Sequence, residues 1–289
     1  MRHPIRRLAA IAALVATACA PLAAAAEIAN VAAASDLQFA LTDIAAAFHA
    51  KTGREVRLAF GSSGNFRRQI ADGAPFDVFL SADASYADAL VAERRTQGDG
   101  VIYAVGRIAL FVRNGSAVHA DAELRGVAAA LRAGTLHKFA IANPEHAPYG
   151  RAAREALQHA GLWTAISPHL VLGENVSQAA QFAINGGADA GIVAYSLLRA
   201  PGVAGRGRSV VLPASDHAPL VQKMVLLARA GDTARAFYAF VQTAAARAIL
   251  ERYGFEAPPA PAPAAPSPRP RVPGVTHTDA SRTLVAAAP

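Results

Sequence analysis

The sequence predicts an α/β fold, and three observations carry that prediction. Short apolar or alternating runs recur along the chain, amphipathic helical stripes separate them, and the turns between are rich in serine, glycine and asparagine. Strands separated by helices of this length form right-handed βαβ units and parallel sheets. A first strand is expected over residues 28–33. Leu37, Leu41, Ile44 and Phe48 then step by 4, 3 and 4 residues, one apolar stripe of a helix that ends at Gly53. Residues 56–60 alternate apolar and polar as a half-buried strand does, and a helix is expected over 66–71. Residues 77–80 and 108–112 are continuous apolar runs, the signature of buried parallel strands. Further strands are expected at 139–142, 169–172, 190–193, 210–212 and 221–227. Phe237, Val241, Ala244 and Ala248 repeat the helical spacing in a last helix before Gly254. No internal repeat or linker divides this region.

The two ends differ from the middle. Of 289 residues, 28 are Lys or Arg and 21 Asp or Glu, a net charge of +7, but 27–256 carries only 22 basic against 20 acidic residues. A nucleic-acid binder concentrates its charge on the folded domain, so that class is excluded. Residues 1–26 read as a secretory signal: Arg2, Arg6 and Arg7, an apolar stretch, then Ala24, Ala25 and Ala26 before Glu27. An uncleaved membrane anchor is the alternative, because residues 8–26 are apolar for nearly a membrane's width. Cys19, the one cysteine, follows a poor match to a lipoprotein box; cleavage before Glu27 leaves a chain with no thiol chemistry or disulfides. Residues 257–289 hold nine of the 18 prolines and no hydrophobic period, as expected of an extended tail. A polymer-binding arm is the functional alternative for that tail.

Enzyme motifs are missing from the sequence. There is no phosphate-binding loop of the Walker type, no dinucleotide fingerprint after a strand and no zinc-protease helix motif. Gly61-Ser62-Ser63-Gly64 is not a nucleophile elbow, since serine directly precedes the second glycine. His146 is the histidine best placed for a metal, and an ordinary loop histidine is its bland reading. Two strand-to-helix turns remain. Ser35, with Gln38 three residues on, has capping-box spacing. Ser62, Ser63, Gly64 and Asn65 open the next helix and expose backbone N–H groups there. Helix starts attract anions without a basic side chain, and ligands of open α/β sheets collect at the strands' carboxyl edges. Ser35 and Ser63 either cap their helices or share an anion site.

At these residues the chain resembles the periplasmic molybdate-binding proteins of ABC importers. The resemblance covers about residues 27–255 and rests on ordered blocks: AAASDL (32–37), FGSSGN (60–65), RQIADGAPFDVFLSAD (68–83), NPEHAPYG (143–150), ENVSQA (174–179), GIVA (191–194) and RYGF (252–255). It implies a two-lobed type II binding protein, each lobe a mainly parallel sheet flanked by helices. The lobes would be 27–106 with 218–256, and 107–217. It also implies a tetrahedral dianion, molybdate or tungstate, held in the cleft by hydroxyls and backbone N–H groups with no metal and no cofactor. Carried over by motif, Ser35, Ser63, Tyr149 and the Val176 backbone N–H contact the ion, with Asp36, Ser62, Ala194 and Tyr195 as neighbouring candidates. In many members a tyrosine directly follows Gly-Ile-Val; here Ala194 stands there and Tyr195 comes one later, so Tyr149 is expected to supply the phenol and Tyr195 to be a packed aromatic. The implied partners are an inner-membrane permease and its cytoplasmic ATPase, the protein acting as a periplasmic monomer. Two rivals are a receptor for sulfate or thiosulfate, and an exported hydrolase using Ser62 or Ser63.

Overall fold

The computed structural model describes residues 27–258; the expected signal segment (1–26) and nearly all of the expected tail (257–289) lie outside the described residues. The first half alternates as the periodicity predicts: β1 (Ala29–Ala34), α1 (Gln38–Thr52), β2 (Val56–Gly61), α2 (Ser63–Ala71), β3 (Val78–Ser81), α3 (Ala84–Ala92) and β4 (Val101–Gly106). The chain continues through β5 (Ile108–Arg113), α4 (Arg125–Arg132), β6 (Phe139–Ala142), α5 (Pro148–His159), α6 (Trp163–Ile166), β7 (Leu170–Gly173), α7 (Val176–Ile184), β8 (Ala190–Ala194), α8 (Tyr195–Leu198) and β9 (Gly207–Val211). It ends with β10 (Leu220–Leu226), α9 (Asp232–Val241) and α10 (Ala244–Arg252).

Two five-stranded sheets result, in the orders β2-β1-β3-β10-β4 and β7-β6-β8-β5-β9. In the first, β1 runs parallel to β2 and β3, whereas β10 runs antiparallel to β3 and β4. The second repeats this arrangement, with β6 parallel to β7 and β8 and β5 antiparallel to β8 and β9. The expectation of mainly parallel sheets is therefore corrected: each sheet is mixed. β5 and β10, the strands entered after the chain passes from one sheet to the other, pair antiparallel with both neighbours. A continuous apolar run reports burial on both faces, and a central antiparallel strand satisfies that as well as a parallel one.

The passage between lobes is short. Arg107 alone separates β4 from β5, and residues 212–219 lead back from β9 to β10. The Arg107 guanidinium donates to the Leu212 carbonyl at 2.8 Å and pairs with Glu256, tying both crossing segments to the end of the fold.

Apolar faces of the helices cover the sheets. Phe48 of α1, 1% exposed, packs edge-on against Phe237 and Phe240 of α9 with ring centroids 5.3 and 5.6 Å apart. Gly53 ends α1 at φ +69°, the left-handed C-cap conformation that glycine adopts without a Cβ penalty. The single last helix expected from Phe237 to Ala248 is instead two. Thr243 caps α10 by accepting from the Ala246 N–H at 3.3 Å, and the break shifts the buried stripe to Ala246 and Leu250, leaving Ala244 and Ala248 exposed. Strand β4 was not anticipated from the sequence.

Phe48→Ala should destabilise the fold by about 3–5 kcal/mol, the range for emptying a buried aromatic site. Urea unfolding of the variant checks this, and a loss below about 1 kcal/mol would mean that the α1–α9 contact is dispensable.

Candidate functional site

The carboxyl ends of β1, β2 and β6 open directly into turns that start helices, and these turns face one cavity between the lobes. It is tight, with about 10 Å³ free to a water-sized sphere, and is lined by Ser35, Asp36, Ser62, Ser63, Tyr149 and Val176 among others. Sites for organic ligands run to roughly 300–1,000 Å³, so this space is far too small for one.

Its chemistry is that of neutral donors. The Ser63 hydroxyl accepts from the Ala82 N–H at 3.0 Å, and the Ser35 hydroxyl accepts from the Ser177 N–H at 3.2 Å. In both cases a backbone amide fixes the oxygen while the O–H proton has no acceptor among the described residues. The backbone N–H groups of Ser63, Tyr149 and Val176 likewise have no acceptor among the described residues. They lie in the first turns of α2, α5 and α7, so three helix starts meet at the cavity. Each brings roughly half a positive charge, and among the described residues no Lys, Arg or His side chain lines the space.

The other candidates fall differently. Ser62, not Ser63, caps α2: its oxygen accepts from the Asn65 N–H at 3.4 Å and meets His146 Nδ1 at 2.9 Å. Its hydroxyl is thus committed to the helix and to the opposite lobe. Ser35 does not form the expected capping box; its oxygen and the Gln38 side chain both engage Ser177 of α7 across the cleft. Ala194 and Tyr195 do not line the cavity. Ala194 is buried in β8 opposite Ile108. The Tyr195 ring lies beside Gly254, where a Cβ would come within 2.6 Å of it, and Arg199 lies over its face.

Tyr149 lines the cavity, but its phenol donates to Asp36 Oδ2 at 3.0 Å. Gln222 Nε2 donates to the same oxygen at 2.6 Å, and Tyr103 donates to Gln222 Oε1 at 2.5 Å. Burial, then the Asp36 charge, holds the Tyr149 phenol well above its ordinary range, so it remains a donor at any working pH. A side chain at Gly106 would place its Cβ 2.2 Å from the Tyr149 hydroxyl, so only glycine leaves room for this network. Gln222 and Tyr103 escaped sequence reasoning. The available signal was a lone glutamine on the apolar face of β10, between buried Leu220 and Met224, where a buried amide requires partners.

His146 serves the lobe contact. It is 8% exposed, its carbonyl accepts from the Gly64 N–H at 3.0 Å, and its Nε2 lies 3.6 Å from Glu174. A Cβ at Gly64 would meet the His146 carbonyl oxygen at 2.6 Å, so glycine permits this approach. Arg151 of α5 reaches Asp83 and Tyr86 of the first lobe, adding a second tie. Among the described residues no group of three His, Cys, Asp or Glu side chains is placed to hold a metal ion.

Asp36 is 1% exposed, and burial pushes its pKa from 3.8 up to about 6. The folded protein therefore binds more protons at this group than the unfolded chain between those values, so stability from this group is highest below about pH 4 and falls as pH rises to 6. The fall is on the order of 3 kcal/mol. Asp36→Asn should remove it: urea unfolding from pH 4 to 8 should show the variant gaining on the natural protein up to pH 6. Parallel curves would contradict a buried, charge-averse carboxyl.

A model of the bacterial extracellular solute-binding protein family matches residues 29–256. The chain is 41% identical over 216 residues to the molybdate-binding protein ModA of Rhodobacter capsulatus, spanning 74% of this chain and 82% of that protein. It is 36% identical over 241 residues to ModA of Azotobacter vinelandii, spanning 82% and 92%. Among solved structures, the periplasmic molybdate-binding protein of Azotobacter vinelandii superposes with a TM-score of 0.72 at 29% identity, covering 80% of this chain and 100% of that one. The sulfate-binding protein SubI of Mycobacterium tuberculosis superposes at 0.65 with 18% identity, covering 80% and 86%, a likeness of fold alone.

Proposed function

The chain belongs to the bacterial extracellular solute-binding proteins and, within them, to the molybdate-binding proteins, and on that premise we propose that its interlobe cavity captures molybdate or tungstate through Ser35, Ser63 and the N–H groups of Tyr149 and Val176. It is a transport component and not an enzyme: it works outside the cytoplasmic membrane and hands its ligand to an ABC importer. We read the partners at the membrane as a permease with its ATPase, the protein as a monomer, and residues 1–26 as the cleaved export signal.

The observation that carries this reading is the meeting of three helix starts and two unspent serine hydroxyls in one small space with no cationic side chain among its described lining residues. A buried dianion must exchange its water for an equal set of donors, because unmatched charge is expensive to bury. Hydrogen bonds to a charged group contribute about 1.5–3 kcal/mol each, and the ring of neutral donors supplies several. Since α2 and α5 with α7 stand on opposite lobes, the ion bridges them and favours the closed arrangement over any open one. The Ser62–His146 pair does not support hydrolysis, because Ser62 caps its helix and the pair spans the two lobes.

Thermal melts of the purified protein with molybdate, tungstate, sulfate and phosphate test the reading. A ligand at 1,000 times its Kd adds about 4 kcal/mol to the folded state, so molybdate and tungstate should raise the Tm by several degrees and sulfate little. Ser63→Ala should weaken molybdate binding by about 1.5–3 kcal/mol while the apo melt is kept. No shift with any oxyanion would defeat the proposal.

A further inference from the structure

Asp36 is the one charged side chain among the residues lining the cavity, and it carries the same sign as the ion that the site is read to hold. Its Oδ2 accepts from Tyr149 and Gln222, while its Oδ1 is buried without a hydrogen-bond partner. The groups that face it are Tyr149 from α5, Gln222 from β10 with Tyr103 of β4 behind it, the backbone N–H groups of Asp36 and Leu37, and Ser196 of α8, whose hydroxyl donates to the Asp36 carbonyl at 2.8 Å. The titratable ones are the two tyrosines, both held neutral by burial. No cation pairs with Asp36 among the described residues.

We propose that Asp36 is the neutral acid whenever the oxyanion is bound, with its proton on Oδ1, so that at any pH where Asp36 is otherwise ionised each dianion captured takes up one proton from solvent. This rests on the oxyanion reading of the cavity. A carboxylate beside a dianion in a buried site would repel it and leave Oδ1 unsatisfied. One proton removes both faults: Oδ2 stays the acceptor for Tyr149 and Gln222, which hold the carboxyl in place, and Oδ1–H becomes a further donor. Burial has already brought the group within reach of protonation, to about 6. The choice of protonation state also sets specificity. A neutral Asp36 completes a wall of donors for an oxyanion that carries no hydrogen, whereas a charged Asp36 would accept a hydrogen from a protonated one such as hydrogen phosphate.

Titration calorimetry of the full chain with molybdate, in buffers of different ionisation heat from about pH 5.5 to 8.5, tests this. The expected result is uptake of about one proton above pH 7 and an affinity that falls roughly tenfold per pH unit above about pH 6. In Asp36→Asn both the uptake and the slope should vanish. Molybdate binding by the natural protein that is flat with pH and releases or takes up no proton would overturn the proposal and leave the oxyanion site standing. Failure to bind molybdate at any pH would overturn the site reading and this inference together.

Discussion

Everything in this molecule that concerns its ligand follows from one requirement: a doubly charged ion must be taken out of water by donors that are themselves uncharged. Such donors are effective only if their protons are not already committed. In the proposed site, backbone amides hold the serine oxygens from behind, Ala82 N–H for Ser63 and Ser177 N–H for Ser35, so that each hydroxyl has its oxygen fixed and its hydrogen without an acceptor among the described residues. Helix starts provide the rest, since the first N–H groups of a helix have no partner within it.

The fold exists around that requirement. Two sheets of the same mixed order each present a strand-to-helix edge to the cleft, and the short crossing at Arg107 keeps the edges opposed. Close approach then depends on missing side chains. Gly64 lets α2 reach the His146 backbone, and Gly106 leaves room for the Tyr149 hydroxyl over Asp36. Hydrogen bonds across the cleft from Ser62 to His146, from Ser35 to Ser177 and from Tyr149 to Asp36 place the two halves of the donor set in register. The Asp36 network is the one part of the site whose electrostatics oppose an anion, and it is buried, with Oδ2 held by two side chains and its pKa raised by burial.

Much of this was legible in the sequence wherever the signal is local. The α1 stripe, the buried strands and the two serine turns announce themselves within a few residues, because periodicity and turn chemistry act at that range. Strand direction did not, since the apolar run of β5 and the strand expected at β10 look the same whichever way they pair. The last helix was misjudged because one threonine cap outweighs an apolar period continued by alanines. Ser35 could be a cap or an anion ligand from its own turn; the amide its oxygen accepts from belongs to Ser177, 142 positions away. The same holds for Asp36, whose partner Gln222 is 186 residues distant: nothing near Asp36 marks it as buried or half-satisfied. Tyr149 was expected to offer its phenol to the ion; instead the phenol serves Asp36, and what it leaves free is its backbone N–H.

The most direct test of the account is a crystal of the protein grown with molybdate and measured at the molybdenum absorption edge, where anomalous scattering locates the ion. The account predicts one strong peak inside the interlobe cavity, within hydrogen-bonding reach, through the ion's oxygens, of the Ser35 and Ser63 hydroxyls and the Val176 N–H. A peak outside the cavity, or an ion inside it that leaves those two hydroxyls and that amide without contact, would contradict it.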